Sequence, residues 1–153
     1  MDSVPSAERS GTWLPSWSPA QIASFAIGAW WVANGIGALL IDPNFATGRV
    51  HGNGDLVGVS VTANGWHALF HLLPGVAGLA AAWRPRAAIV FLIVAGSLYI
   101  VAGAWGLIAG KASVGLIAVD TSGDVVHLIE GLVPFAIGVR VLQLQNLRLA
   151  TPN

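Results

Sequence analysis

The chain has no cysteine and very little charge. Without cysteine there is no disulfide, thiolate ligand or thiol nucleophile, so a bound metal would need histidine, carboxylate or carbonyl ligands. Asp, Glu, Lys and Arg make up 9% of the residues, whereas soluble domains carry charge on about a quarter. The formal net charge of +0 offers no field for a nucleic acid, and nucleic-acid binding is set aside. A nucleophile with a base at helical spacing is also missing, since Ser97 has no histidine near it, and there is no phosphate-binding glycine loop. An enzyme is not expected.

What is present is apolar sequence. Hydrophobic residues make up 55% of the chain and the mean hydropathy is +0.71, the composition of a membrane protein. Its 153 residues suffice for one domain. Runs nearly free of Asp, Glu, Lys and Arg place four spans, at about residues 20–41, 65–83, 87–109 and 124–142, each near the roughly 20 residues a helix needs to cross. Residues 1–19 and 143–153 read as tails. The first span is longer than the roughly 7–15-residue apolar region of a signal peptide and reads as retained. Arg9, Arg84, Arg86, Arg140 and Arg148 fall on one side, against Arg49 and Lys111 on the other, which predicts both termini in the cytoplasm. Arg84-Pro85-Arg86 makes spans two and three antiparallel neighbours. The first outer loop, from Asp42 to Asn64, holds Gly48, Gly52, Gly54 and Gly58 with Arg49, His51 and Asp55, and reads as a flexible connector.

A phrase recurs. His71-Leu72-Leu73-Pro74-Gly75 is echoed by His127-Leu128-Ile129-Glu130-Gly131 at an offset of 56 (127 − 71), which also pairs Asn64 with Asp120. An offset of 68 (96 − 28) pairs Gly28 with Gly96, Trp31 with Tyr99, Gly35 with Gly103 and Leu39 with Leu107. A rival register of 60 (127 − 67) instead pairs His67 with His127 and Asn64 with Asp124. The expected fold is therefore all-α: an integral membrane four-helix bundle made of two tandem, parallel helical-hairpin repeats. Ala29, Ala33 and Gly37 on span one, and Ala102, Gly106 and Gly110 on span three, form small-residue stripes read as packing faces within the bundle. Of the tryptophans, Trp17, Trp66 and Trp83 sit near span ends as interfacial anchors.

Chemistry inside the spans rests on few residues. His67 and His71 are four apart and share a helix face, as do His127 and Glu130, three apart. Brought together, His67, His71, His127 and Glu130 would suit zinc, copper or iron, or His71 and His127 a haem between helices. The competing reading gives each imidazole a structural hydrogen bond between helices or to loop backbone. His127 is the expected partner of Glu130, and Asn34 and Ser97 read as helix-to-helix hydrogen bonders.

The segment from Asn64 to Ala80, Asn-Gly-Trp-His-Ala-Leu-Phe-His-Leu-Leu-Pro-Gly-Val-Ala-Gly-Leu-Ala, with its echo from Asp120 to Gly138, resembles the bacterial membrane family labelled domain of unknown function 4383. The resemblance covers about Ala20 to Val141 and implies a four-helix integral membrane protein, with an Asn or Asp three residues before a histidine in each half, here Asn64 with His67 and Asp124 with His127. This sequence departs from that pattern at His71 and Glu130, where apolar or small residues are expected. The leading expectation is a small, non-enzymatic protein of the bacterial cytoplasmic membrane, without a cofactor, whose partners are the lipid bilayer and another membrane protein or a second copy. The alternatives are a metal- or haem-binding subunit built on His67, His71, His127 and Glu130, and a proton-linked small carrier.

Overall fold

In the computed structural model, residues 16–45, 53–56, 59–109 and 116–150 are described. Arg9, Trp13, Gly48, Arg49, His51, Gly52, Gly58, Gly110 and Lys111 lie outside them. The element order is α1 (Pro19–Ile41), β1 (Asn53–Leu56), β2 (Val59–Thr62), α2 (Gly65–Ala81), α3 (Pro85–Ala109) and α4 (Thr121–Ala150).

Each helix start follows from local chemistry. Ser18 and Gln21 make a reciprocal capping box at α1, with Pro19 in the first turn where its missing N–H costs nothing. Asn64 caps α2 by accepting the His67 N–H at 2.9 Å, and Asp120 accepts the Gly123 N–H at 2.8 Å at the start of α4. Helices α1, α3 and α4 are long and apolar enough to cross a bilayer. Helix α2 has 17 residues and stops at Ala81; at about 1.5 Å per residue it is somewhat shorter than the roughly 30 Å hydrocarbon core. Helix α4 runs well past the expected end at Leu142, so residues 143–150 continue the helix. The all-α expectation also missed a small antiparallel hairpin, β1 with β2, pairing Asn53 with Thr62 and Leu56 with Val59 in the first outer loop.

Helix α1 packs chiefly on α2, and α3 on α4, each pair antiparallel. Glycine permits the approach. A Cβ on Gly28 would lie 2.7 Å from the Leu79 backbone nitrogen, and one on Gly96 would lie 2.7 Å from that of Phe135. The stripe expected on span one is displaced, since Ala29 and Ala33 are exposed and Gly28, Trp31 and Gly35 turn inward instead, whereas Gly106 of the stripe expected on span three is buried against Asp124 of α4. Ser97 donates to the Ile93 carbonyl of its own helix at 2.8 Å, the i−4 bond of an isolated hydroxyl, and is no interhelical link. Trp31 and Tyr99 stack at the centre, 4.1 Å between centroids with planes 4° apart, against Phe91 and Leu92. Trp17 meets Trp83 edge-on at 5.6 Å, and the Trp66 indole donates to the Phe45 carbonyl at 2.8 Å.

Candidate metal centre

The antiparallel arrangement brings the start of α2 beside the start of α4, and three histidines meet there. His67, His71 and His127 are 3%, 5% and 3% exposed. Their Nε2 atoms form a triangle: 3.1 Å between His67 and His71, 3.2 Å between His67 and His127, and 3.4 Å between His71 and His127.

What surrounds the rings decides where their protons sit. Nδ1 of His67 faces two acceptors, the Ala118 carbonyl at 2.8 Å and the Thr62 carbonyl at 3.2 Å, so in the neutral ring it carries the proton and Nε2 is a bare lone pair. His71 owes its orientation to a proline. Pro74 has no N–H to offer the carbonyl four residues earlier, and the Tyr99 hydroxyl donates to that Phe70 carbonyl at 3.1 Å. With its only proton so used, the Tyr99 oxygen, 3.0 Å from Nδ1 of His71, accepts from it and leaves Nε2 of His71 bare as well. Two unprotonated nitrogens 3.1 Å apart repel unless a cation or a shared proton lies between them. An imidazole-bound divalent ion with ligand bonds of about 2.0–2.1 Å and tetrahedral angles spaces its nitrogens by about 3.3 Å, the spacing seen here.

The described ends of the two outer loops meet beside the cluster. Asn64 donates to the Leu116 carbonyl at 2.8 Å and accepts from the Ala118 N–H at 3.3 Å. Asp120 accepts from the Thr62 hydroxyl at 2.8 Å and from its N–H at 3.1 Å, tying the hairpin to the cap of α4. Partial burial opposes the charged form of Asp120, but the N–H of Gly123, the Thr62 hydroxyl and N–H, and the Ser122 N–H outweigh it and hold this carboxyl below its ordinary range. Beside the triangle lies a cavity of about 40 Å³, lined by Asn34, Ala38, Gly123, Val126 and Glu130 with the histidines; that is room for about one water molecule.

Three of the four residues expected to meet form the triangle, and Glu130 stands outside it. Its partner is not His127: Oε1 accepts from the Trp30 indole at 2.6 Å and from the Asn34 amide at 3.5 Å, while Oε2 stands 3.9 Å from Nδ1 of His71. It lines the cavity beside the histidines. A haem between His71 and His127 does not fit either, because 3.4 Å between their nitrogens leaves no space for a macrocycle and His67 blocks the same point. The structural reading of the imidazoles holds for the Nδ1 edges of His67 and His71, which bond to loop backbone and to Tyr99, and the Nε2 edges meet one another within hydrogen-bond distance, that of His127 across to α2. Tyr99 and Trp30 were missed as partners. The signal for Tyr99 was Pro74, which frees a carbonyl on the turn that bears His71.

These features define a helical membrane protein with a buried three-histidine cluster. Residues 21–140 match the family described as Domain of unknown function (DUF4383), and the chain belongs to that family. No curated protein and no solved structure matches it.

Proposed function

We propose that this protein is a non-enzymatic metal-binding protein of the bacterial cytoplasmic membrane, holding one first-row divalent cation on His67, His71 and His127. The observation that carries the reading is the triangle of Nε2 atoms at 3.1–3.4 Å, two of them stripped of protons by their neighbours. Three neutral imidazoles without sulfur suit zinc, copper or iron. The Nδ1 bonds of His67 and His71 are the outer hydrogen bonds that orient metal-bound histidines elsewhere, and the 40 Å³ cavity leaves space for one water as a further ligand.

The architecture we infer is four spans from two tandem hairpins. Support comes from matched contacts: Gly28 against Gly75 and Leu79 corresponds to Gly96 against Gly131 and Phe135, at the offsets of 68 and 56. The caps Asn64 and Asp120 follow the same offset of 56, under which His71 corresponds to His127, and His67 to Gly123. Arg84, Arg86 and Arg140 lie toward the end away from the histidines, which favours a cytoplasmic placement of that end and of both termini.

The test is metal content of protein in lipid nanodiscs, followed by Co²⁺ titration of chelator-stripped protein, for wild type and for the single variants His67→Ala, His71→Ala and His127→Ala. Expected are about one ion per chain and the visible bands of a nitrogen-ligated Co²⁺ site, both lost in each variant. Wild-type protein that takes up neither Zn²⁺ nor Co²⁺ would overturn the reading.

A further inference from the structure

Beside the histidine triangle stands a buried acid that no basic side chain answers. The Glu130 side chain is 7% exposed, and its one ion-pair contact among the described residues is the His71 ring, 3.9 Å from Oε2 to Nδ1. That ring is neutral, with its single proton turned to the Tyr99 oxygen. Oε1 accepts from the Trp30 indole at 2.6 Å and from the Asn34 amide at 3.5 Å, which anchors the carboxyl, while Oε2 is buried without a hydrogen-bond partner. An ionised carboxylate at this depth is costly unless an opposite charge lies near it.

The triangle offers a place for that charge. Glu130 lines the 40 Å³ cavity together with His67, His71 and His127, so the carboxyl and the histidines share one enclosure. An ion on Nε2 of His71, at a bond of about 2.0–2.1 Å, would sit across the ring from Nδ1 and so within about 8 Å of Oε2. Asp124, the other buried acid of α4, lies against Gly106 of α3 and does not line the cavity. Neutral imidazoles select an ion by ligand type alone, and they suit copper as well as zinc. A fixed negative charge selects by ionic charge, because its attraction is proportional to that charge. At an effective dielectric constant of about 20, one further unit of charge at about 8 Å changes an equilibrium constant about thirty-fold.

We infer that Glu130 selects the ion at the histidine site: its carboxylate is the buried counter-charge that makes the triangle favour a divalent over a monovalent cation. Glu130 acts through its field and is not a ligand, since Oε2 approaches His71 at Nδ1, the nitrogen turned away from the converging Nε2 atoms. The inference rests on the metal reading above and adds to it the residue that decides between ions of different charge.

The experiment compares Co²⁺ with Cu⁺, the latter kept reduced under argon, by chelator competition on the full-length protein in lipid nanodiscs. Wild type, Glu130→Gln and Glu130→Asp are measured side by side. Glu130→Gln keeps an oxygen for the Trp30 indole and removes the charge, which weakens both ions but the divalent one more. The expected fall in Co²⁺ affinity is at least ten-fold larger than the fall for Cu⁺, whose binding also reports that the triangle is intact. Glu130→Asp retains the charge and should keep the ratio of the two affinities within about three-fold of wild type. Affinities unchanged in Glu130→Gln, or reduced by the same factor for both ions, would overturn the inference and leave the metal reading standing. A ratio lost as fully in Glu130→Asp would do the same, because it would tie the preference to side-chain length. Wild-type protein that binds neither ion would overturn the metal reading itself, and the inference with it.

Discussion

The oxygen of Tyr99 lies 3.0 Å from Nδ1 of His71 while its hydroxyl donates to the Phe70 carbonyl at 3.1 Å, so one phenol both repairs the gap left by Pro74 and sets the tautomer of a candidate ligand. Removing that hydroxyl should loosen the site without dismantling the core, because the stack of ring 99 on Trp31 survives in Tyr99→Phe. Loss of an outer partner of a metal-bound histidine typically costs about 10–100-fold in affinity, and competition with a chelator should show a fall of that size. An unchanged affinity would mean that Tyr99 serves the Phe70 carbonyl alone.

Asp120 predicts a dependence on pH outside the membrane. Because folding holds its carboxyl below the ordinary 3.8, the folded state favours the charged form. The stability this contributes is complete above that ordinary value and disappears as pH falls through the lower, folded one. Asp120→Asn retains an oxygen for the Gly123 N–H but presents an NH₂ group to Thr62. It should be less stable than wild type near neutrality by about 1 kcal/mol, with the gap closing in acid below about pH 4. Thermal unfolding of both proteins across that range measures it, and a constant gap would place the stabilisation elsewhere.

The sequence made the helices legible because charge is excluded from lipid, so four charge-poor runs announce four helices, and because rare residue types recurring at offsets of 56 and 68 mark equivalent places. His67 and His71 were legible as a pair because a spacing of four puts them on one face. The protons of these rings were not, since they depend on the carbonyls of Thr62 and Ala118, and a backbone carbonyl carries no signature in sequence. Glu130 was given the wrong partner for a related reason: His127 is its neighbour in sequence, whereas Trp30 reaches it from another helix. The pairing of residues 53–56 with 59–62 was hidden in glycine and polar residues that read equally well as a loop.

Two glycines of α4 should respond to the same substitution in opposite ways. A Cβ on Gly131 would sit 2.5 Å from the Ile100 backbone nitrogen and 2.7 Å from the Gly96 carbonyl, and neither is the movable end of a side chain, so α3 and α4 would have to separate. Gly131→Ala is expected to destabilise the protein by about 1–3 kcal/mol, the usual cost of overpacking. At Gly123 the nearest neighbour of a Cβ is Cγ2 of Val119 at 3.3 Å, which a small rotation relieves. There the lower backbone entropy of alanine should prevail, and Gly123→Ala should be neutral or stabilising by up to about 1 kcal/mol. Unfolding of the two variants in mixed micelles separates these outcomes. Equal effects would mean that the α3–α4 seam is slack at Gly131, and that its glycine marks something other than close backbone approach.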